Sequence, residues 1–173
     1  MAYTAIRLPH VYGARDNVFG RVRKGRLVVP GAGRSTYSHL HVADAATVLV
    51  EAARRGLEGA WVVADDDPMS WRAFFDVVAT HLPDLTILHA PTRLALAGAT
   101  AAATVLSRPR RPTLVHPDTV RGYALRHEVV DPSLWDALDL APRHPSAADG
   151  IPAVLDDCVA FRWRHPVDDH RAA

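Results

Sequence analysis

Two short apolar runs separated by a helical stretch constrain this chain more than anything else in it. The first, Ala2 to Leu8, is interrupted only by Thr4 and Arg7 and stops at Pro9 and Gly13. The second, "AWVVA" from Ala60 to Ala64, runs into Asp65, Asp66, Asp67 and Pro68. Both have the length and punctuation of buried strands. Between them, Val42, Ala45, Ala46, Leu49, Val50 and Ala53 recur at helical spacing until Gly56 supplies a stop. Strand, helix, strand with a crossover of this length predicts a parallel βαβ connection. Strands apolar on both faces predict a sheet covered by helices on two sides.

Further along, Ser70 is placed to cap a helix in which Trp71, Phe74, Phe75, Val78 and Leu82 form one apolar stripe, read as core. "DLTIL", Asp84 to Leu88, reads as a short strand. A helix over 92–107, a Pro/Arg linker and a short helix over 117–123 follow. "HEVVD", His127 to Asp131, reads as another short strand, and "PSLWDAL" opens a helix with proline in its first turn. A last helix after Ser146 carries Ile151, Val154, Leu155, Cys158 and Val159.

A globular chain of 173 residues buries roughly 70% of its unfolded surface, enough for a sizeable core. The net charge is +1 and the arginines are spread along the chain, so nothing calls for a nucleic-acid partner. Arg108, Arg110 and Arg111 in "SRPRRP" read as a solvated, proline-stiffened linker rather than an anion contact. With Cys158 as the only cysteine, no intrachain disulfide forms, and a reducing compartment, the cytoplasm, is expected. The most membrane-like run, Leu94 to Leu106, is 13 residues long, and no membrane span is expected because spanning takes ~20.

The chemistry-bearing motifs are conspicuous by what is missing. A dinucleotide-binding turn needs G-x-G-x-x-G between strand and helix, whereas Gly31 and Gly33 in "PGAGRS" give only G-x-G, with Thr36 in third place. That segment reads as a turn. A Tyr-x-x-x-Lys pair is absent, since Lys24 is the only lysine and Gly20 precedes it by four. Ser35 and Ser38 lie near His39 and His41 without a G-x-S-x-G elbow. No catalytic residue is assigned. His39, His41 and Asp44 form H-x-H-x-x-D, and side chains at i and i+2 share one strand face, which fits a metal and a metal-dependent hydrolase. His41 and Asp44 also sit where a helix begins, and capping explains them with fewer assumptions, so no metal site is assigned. "DDDP" reads as a solvated loop.

Taken in order, "AIRLPHVYGARD", "PGAGRSTYSHLHVADAATVLVEAA", "GAWVVADDDPMSWRAFFDVVATHL" and "VVDPSLWDALDLAPRHPSAADGIPAVLDDCVAF" resemble the C-terminal half of an extended short-chain dehydrogenase/reductase. This is the NAD-dependent epimerase/dehydratase family, with its 3β-hydroxysteroid dehydrogenase-like members. The resemblance implies an α/β chain with an incomplete Rossmann-type fold. Residues 1–66 would supply the last parallel strands and crossover elements, and 67–173 a mostly helical substrate-binding lobe. The glycine-rich turn and the Tyr-x-x-x-Lys pair would belong to a first half outside this sequence.

By the same resemblance, Leu8 and Pro9 lie beside the nicotinamide and His10 faces the substrate. The family's H-V-x-D-x-A element matches His41, Val42, Asp44 and Ala46 and is mostly architectural. Where nucleotide-sugar epimerases often carry an arginine for the diphosphate, four residues before the matching histidine, this chain has Tyr37, which disfavours a nucleotide sugar unless Arg34 substitutes. An apolar or steroid-like small molecule is therefore the expected substrate. Complete relatives move hydride between NAD or NADP and a carbinol or carbonyl. This chain alone is expected to be inactive, to bind the dinucleotide weakly or not at all, and to pair with a separate nucleotide-binding half or with itself. The alternative is a noncatalytic small-molecule binding or regulatory module.

Overall fold

A computed structural model describes residues 3–22, 25–107 and 116–160. The arginines of "SRPRRP" lie outside the described residues. β1 (Thr4–Arg7) and β2 (His10–Tyr12) are one extended run broken at Leu8 and Pro9. Proline has no N–H to give to a ladder, and the chain changes partner at that point. β5 (His39–His41) lies parallel to β2, and β6 (Gly59–Val62) lies parallel to β1. α2 (Val42–Arg54) joins the two later strands, so the predicted parallel connection is present.

β3 (Arg26–Pro30) pairs in parallel with β8 (Thr86–Ala90), turning Leu27 and Val29 inward and Arg26 and Val28 outward. β4 (Thr36–Tyr37) pairs antiparallel with β7 (Met69–Ser70). The remaining helices are α1 (Asn17–Val22), α3 (Trp71–His81), α4 (Thr92–Ser107), α5 (Pro117–Ala124), α6 (Ser133–Ala137) and α7 (Ala147–Ala160). Ser70 starts α3 as the sequence predicts, its Oγ accepting the Ala73 N–H at 3.1 Å. His41 starts α2 the same way through Nδ1, 3.2 Å from the Ala43 nitrogen. None of the described helices is long and apolar enough to cross a membrane.

Two cores result. In the larger, Phe74, Phe75 and Val78 of α3 and Ile151 and Val154 of α7 close over Tyr12, Phe19, Leu27 and Val29. α7 crosses β2 so tightly that a Cβ on Gly150 would lie 2.0 Å from the Tyr12 hydroxyl. The smaller core joins Leu40, Val48 and Val63 to Leu134, Trp135 and Leu138, with the Trp135 indole N–H donating to the Ala64 carbonyl at 3.1 Å.

Burial departs from the sequence expectation in three places. Thr4, Ala5 and Arg7 of β1 are exposed, although the apolar run reads as a buried strand. α2 buries Ala45, Val48 and Ala52 but leaves Val42, Leu49 and Val50 exposed on its other side. A helix apolar all round is normally covered all round. Conversely, Asp65 of "DDDP" is only 1% exposed and not part of a solvated loop. "HEVVD" forms no strand; a single parallel bridge between Tyr37 and His127 stands in its place.

Candidate functional site

The break at Leu8 and Pro9 opens a cavity of about 350 Å³ against the first turn of α3. Leu8, Pro9, His10 and Tyr37, all singled out by the sequence, line it together. Trp71 at the start of α3 and Tyr123 of α5 complete an aromatic wall, with ring centroids 4.7 Å apart. Tyr37 lies 5.6 Å from Trp71 and stacks on His127 at 5.2 Å. Trp71 is buried, and its indole N–H has no partner among the described residues. Arg34 is exposed and is not among the lining residues.

His10 anchors a polar chain in this wall. Its Nε2 lies 3.1 Å from Oδ2 of Asp16 and its Nδ1 3.0 Å from Nδ1 of His39. A carboxylate only accepts, so the Nε2–H donates to Asp16; in neutral His10, Nδ1 then accepts from His39. Both ring nitrogens are thus engaged within the protein. The cavity is lined by the ring of His10 and by Asp16 beside it.

His39 has no exposed surface and stacks on Phe74 at 4.8 Å. Burial, with His10 nearby, pushes its pKa down to about 3, so it is neutral at physiological pH. His39 and Asp65 are tied twice: the His39 N–H donates to Oδ1 at 3.2 Å, and the Asp65 N–H donates to the His39 carbonyl at 2.9 Å. Burial pushes the Asp65 carboxyl up to about 7. Burial and the neighbouring Asp65 and Asp44 push the Tyr12 phenol up as well, so it stays protonated as a core hydroxyl donating to the Ser146 carbonyl.

The H-x-H-x-x-D cluster is split. His39 joins the aromatic cavity's backing, while His41 and Asp44 meet His144, the three offering one ligand atom each within 4.8 Å of one another. Hydrogen bonding argues for a structural role there. His41 Nδ1 accepts the Ala43 N–H, which puts the proton of a neutral ring on Nε2, where a metal would need a lone pair. The two Asp44 oxygens accept the Arg143 and His144 N–H groups at 2.9 and 3.0 Å. Capping and loop fastening account for His41 Nδ1 and both Asp44 oxygens, while the buried His41 Nε2 has no partner among the described residues.

Sequence reading missed Asp16, Thr119, Tyr123 and His127 in the cavity wall; Trp71, read as core, belongs to the larger core and lines the cavity as well. Asp16 reaches His10 only because the chain turns at Gly13, where the Asp16 N–H donates to the Gly13 carbonyl. The residues from 119 to 127 reach the wall from a distant segment and carry no local signal.

No family model matches the chain, and no curated protein matches it by sequence. Solved structures do match. A human epimerase family protein, crystallised with NADPH, superposes at a TM-score of 0.67 with 14% identity, over 89% of this chain and 48% of that one. UDP-N-acetylglucosamine 4-epimerase from Methanobrevibacter ruminantium, in complex with UDP-N-acetylmuramic acid, gives 0.62 with 14% identity over 93% and 47%. dTDP-glucose 4,6-dehydratase from Bacillus anthracis, in complex with NAD, gives 0.62 with 13% identity over 95% and 47%. The chain spans about half the length of these structures. What it shares with these epimerases and this dehydratase is the fold, about half of a Rossmann-type one.

Proposed function

We propose that this chain is the substrate-facing portion of an NAD(P)-dependent oxidoreductase, epimerase or dehydratase. The dinucleotide would be held by a glycine-rich βα unit that covers the outer side of α2 and the flank of β1. One observation carries the reading: α2 has a second apolar side, Val42, Leu49 and Val50, which is 43–55% exposed, and the parallel strand β1 is exposed at Thr4, Ala5 and Arg7. Parallel sheets are covered on both faces, and uncovered apolar surface of this kind marks an interface.

Neither Gly13 nor Gly33 offers a pyrophosphate cradle. A Cβ on Gly13 would lie 2.6 Å from a methyl of Val42, and one on Gly33 3.1 Å from the Arg72 nitrogen, so protein occupies the space a phosphate needs. Leu8 and Pro9 offer an apolar wall suited to a nicotinamide ring and nothing for its phosphates. The residues of this chain would bind and orient the substrate. Among the described residues lining the aromatic cavity there is no lysine or arginine, which favours a neutral, largely apolar carbinol or ketone over a nucleotide sugar.

Titration of the chain with NADH, followed by nicotinamide fluorescence, tests the reading. Binding no tighter than about millimolar is expected, a free energy of about −4 kcal/mol. Micromolar affinity would place a working nucleotide site in this chain and overturn the division of labour. The alternative is a noncatalytic small-molecule binding module that uses the same cavity without redox chemistry. Submicromolar capture of a small molecule with no response to NAD(P) or to an added nucleotide-binding half would favour it.

A further inference from the structure

The aromatic cavity has a neighbour. A second cavity of about 230 Å³ lies between α4 and β3, and its wall is almost wholly apolar: Val28, Pro30, Ala90, Ala95, Ala99 and Val120. The two cavities share Thr119 and Tyr123, so a single turn of α5 is the partition between them. On one side of that turn stand His10 and Asp16; on the other stand small aliphatic groups only a few residues away in space. Nothing in the polar chain of His10, His39 and Asp65 extends to the second chamber, where the one histidine, aspartate, glutamate, lysine or arginine among the described lining residues is His116, its Nδ1 3.2 Å from Oδ2 of Asp118.

We propose that the two chambers form one head-and-tail site for an amphiphilic substrate. The carbinol or carbonyl end lies in the aromatic cavity beside Asp16 and His10, and an alkyl or acyl tail passes Thr119 and Tyr123 into the apolar cavity. This rests on the reading of the aromatic cavity given above and adds the substrate class: a long-chain secondary alcohol or ketone. A tail in the second chamber gains by leaving water, and the gain grows with each methylene until the chamber is full. The small side chains of α4 fit this use, because Ala95, Gly98 and Ala99 leave room that larger residues would close.

The glycines supply the test. Gly98 of α4 lines the apolar cavity and Gly122 of α5 the aromatic one, and a Cβ on either meets nothing within 4 Å. Gly98→Leu and Gly122→Leu therefore narrow one chamber each, and both changes raise helix propensity. Binding of straight-chain 2-alkanols of about four to twelve carbons is measured by calorimetry with the full chain. Affinity is expected to climb by about fourfold per methylene and then level off. Gly98→Leu should remove the climb for long chains and leave the shortest alcohols unaffected, whereas Gly122→Leu should weaken every member of the series. Ala95→Leu is a second, independent obstruction of the apolar chamber and should repeat the Gly98→Leu pattern. Affinity independent of chain length, or a climb indifferent to both α4 substitutions, overturns the shared site while leaving the head cavity as described. Failure of every alkanol to bind overturns both.

Discussion

β5 and β1 are both short strands paired in parallel, yet one is fully buried and the other lies almost bare. His39, Leu40 and His41 of β5 are buried under α2, α3 and α7, although two of the three are polar. Thr4, Ala5 and Arg7 of β1 are exposed, in a run that is more apolar. Burial in this chain therefore follows which elements are available to cover a strand, and composition alone does not decide it. The β5 region is a finished interior held by its own helices. The β1 and α2 region has the composition of an interior without a lid.

The sharpest way to break this comparison is to cut into each region equally. Phe74 in the finished interior has no exposed surface, and Phe74→Ala should cost about 3–5 kcal/mol in urea unfolding. Leu49→Ala on the bare side of α2 should change stability by no more than about 0.5 kcal/mol. A cost above about 2 kcal/mol for Leu49→Ala would show that side to be covered in solution after all.

Next in size is a pair of opposed pH effects inside the finished region. The folded pKa of His39, about 3, lies below its ordinary 6.5, so its stabilisation is complete above pH 6.5 and is lost as pH falls toward 3. The folded pKa of Asp65, about 7, lies above its ordinary 3.8, so its contribution is complete below pH 3.8 and is lost as pH rises toward 7. Between pH 3.8 and 6.5 the two oppose each other, and the wild-type profile should be nearly flat. Asp65→Asn should expose a loss of stability on acidification, on the order of 2 kcal/mol across that window, and His39→Gln the reverse slope. Urea unfolding at a series of pH values reads both.

Smaller effects sharpen the contrast. Ser70→Ala removes the α3 cap and should cost about 1 kcal/mol, with Ser70→Asp restoring most of it. Least of all in stability, but decisive for the bare region, Leu49→Glu should leave unfolding unchanged within about 0.5 kcal/mol and abolish self-association in light scattering. Persistent association in that variant would move the sticky surface elsewhere.

The helices were legible because their signals are local. Ser70 before an aromatic stripe, and Val42 through Ala53 at helical spacing, needed no tertiary knowledge. α4 was read over 92–107, as found. β5 was not legible as buried, because "HLH" is polar by composition and becomes interior only when α3 and α7 close over it. Asp65 misled for the same reason: an acid after a strand reads as loop until the backbone of His39 is found beside it. Leu8, Pro9, His10 and Tyr37 were visible through family resemblance, whereas Asp16 and Tyr123 depend on a turn and a distant helix. Arg34 was singled out by position alone, and the fold leaves it outside the cavity.

Asp44 fastens the start of α2 to the backbone of Arg143 and His144, 99 and 100 positions along the chain. The helix is thereby pinned before anything lands on its bare side, and an arriving partner does not have to order it first. Encounter should therefore set the pace of assembly. Stopped-flow mixing with a nucleotide-binding half should give one phase whose rate grows linearly with partner concentration, without the plateau that a slow rearrangement imposes.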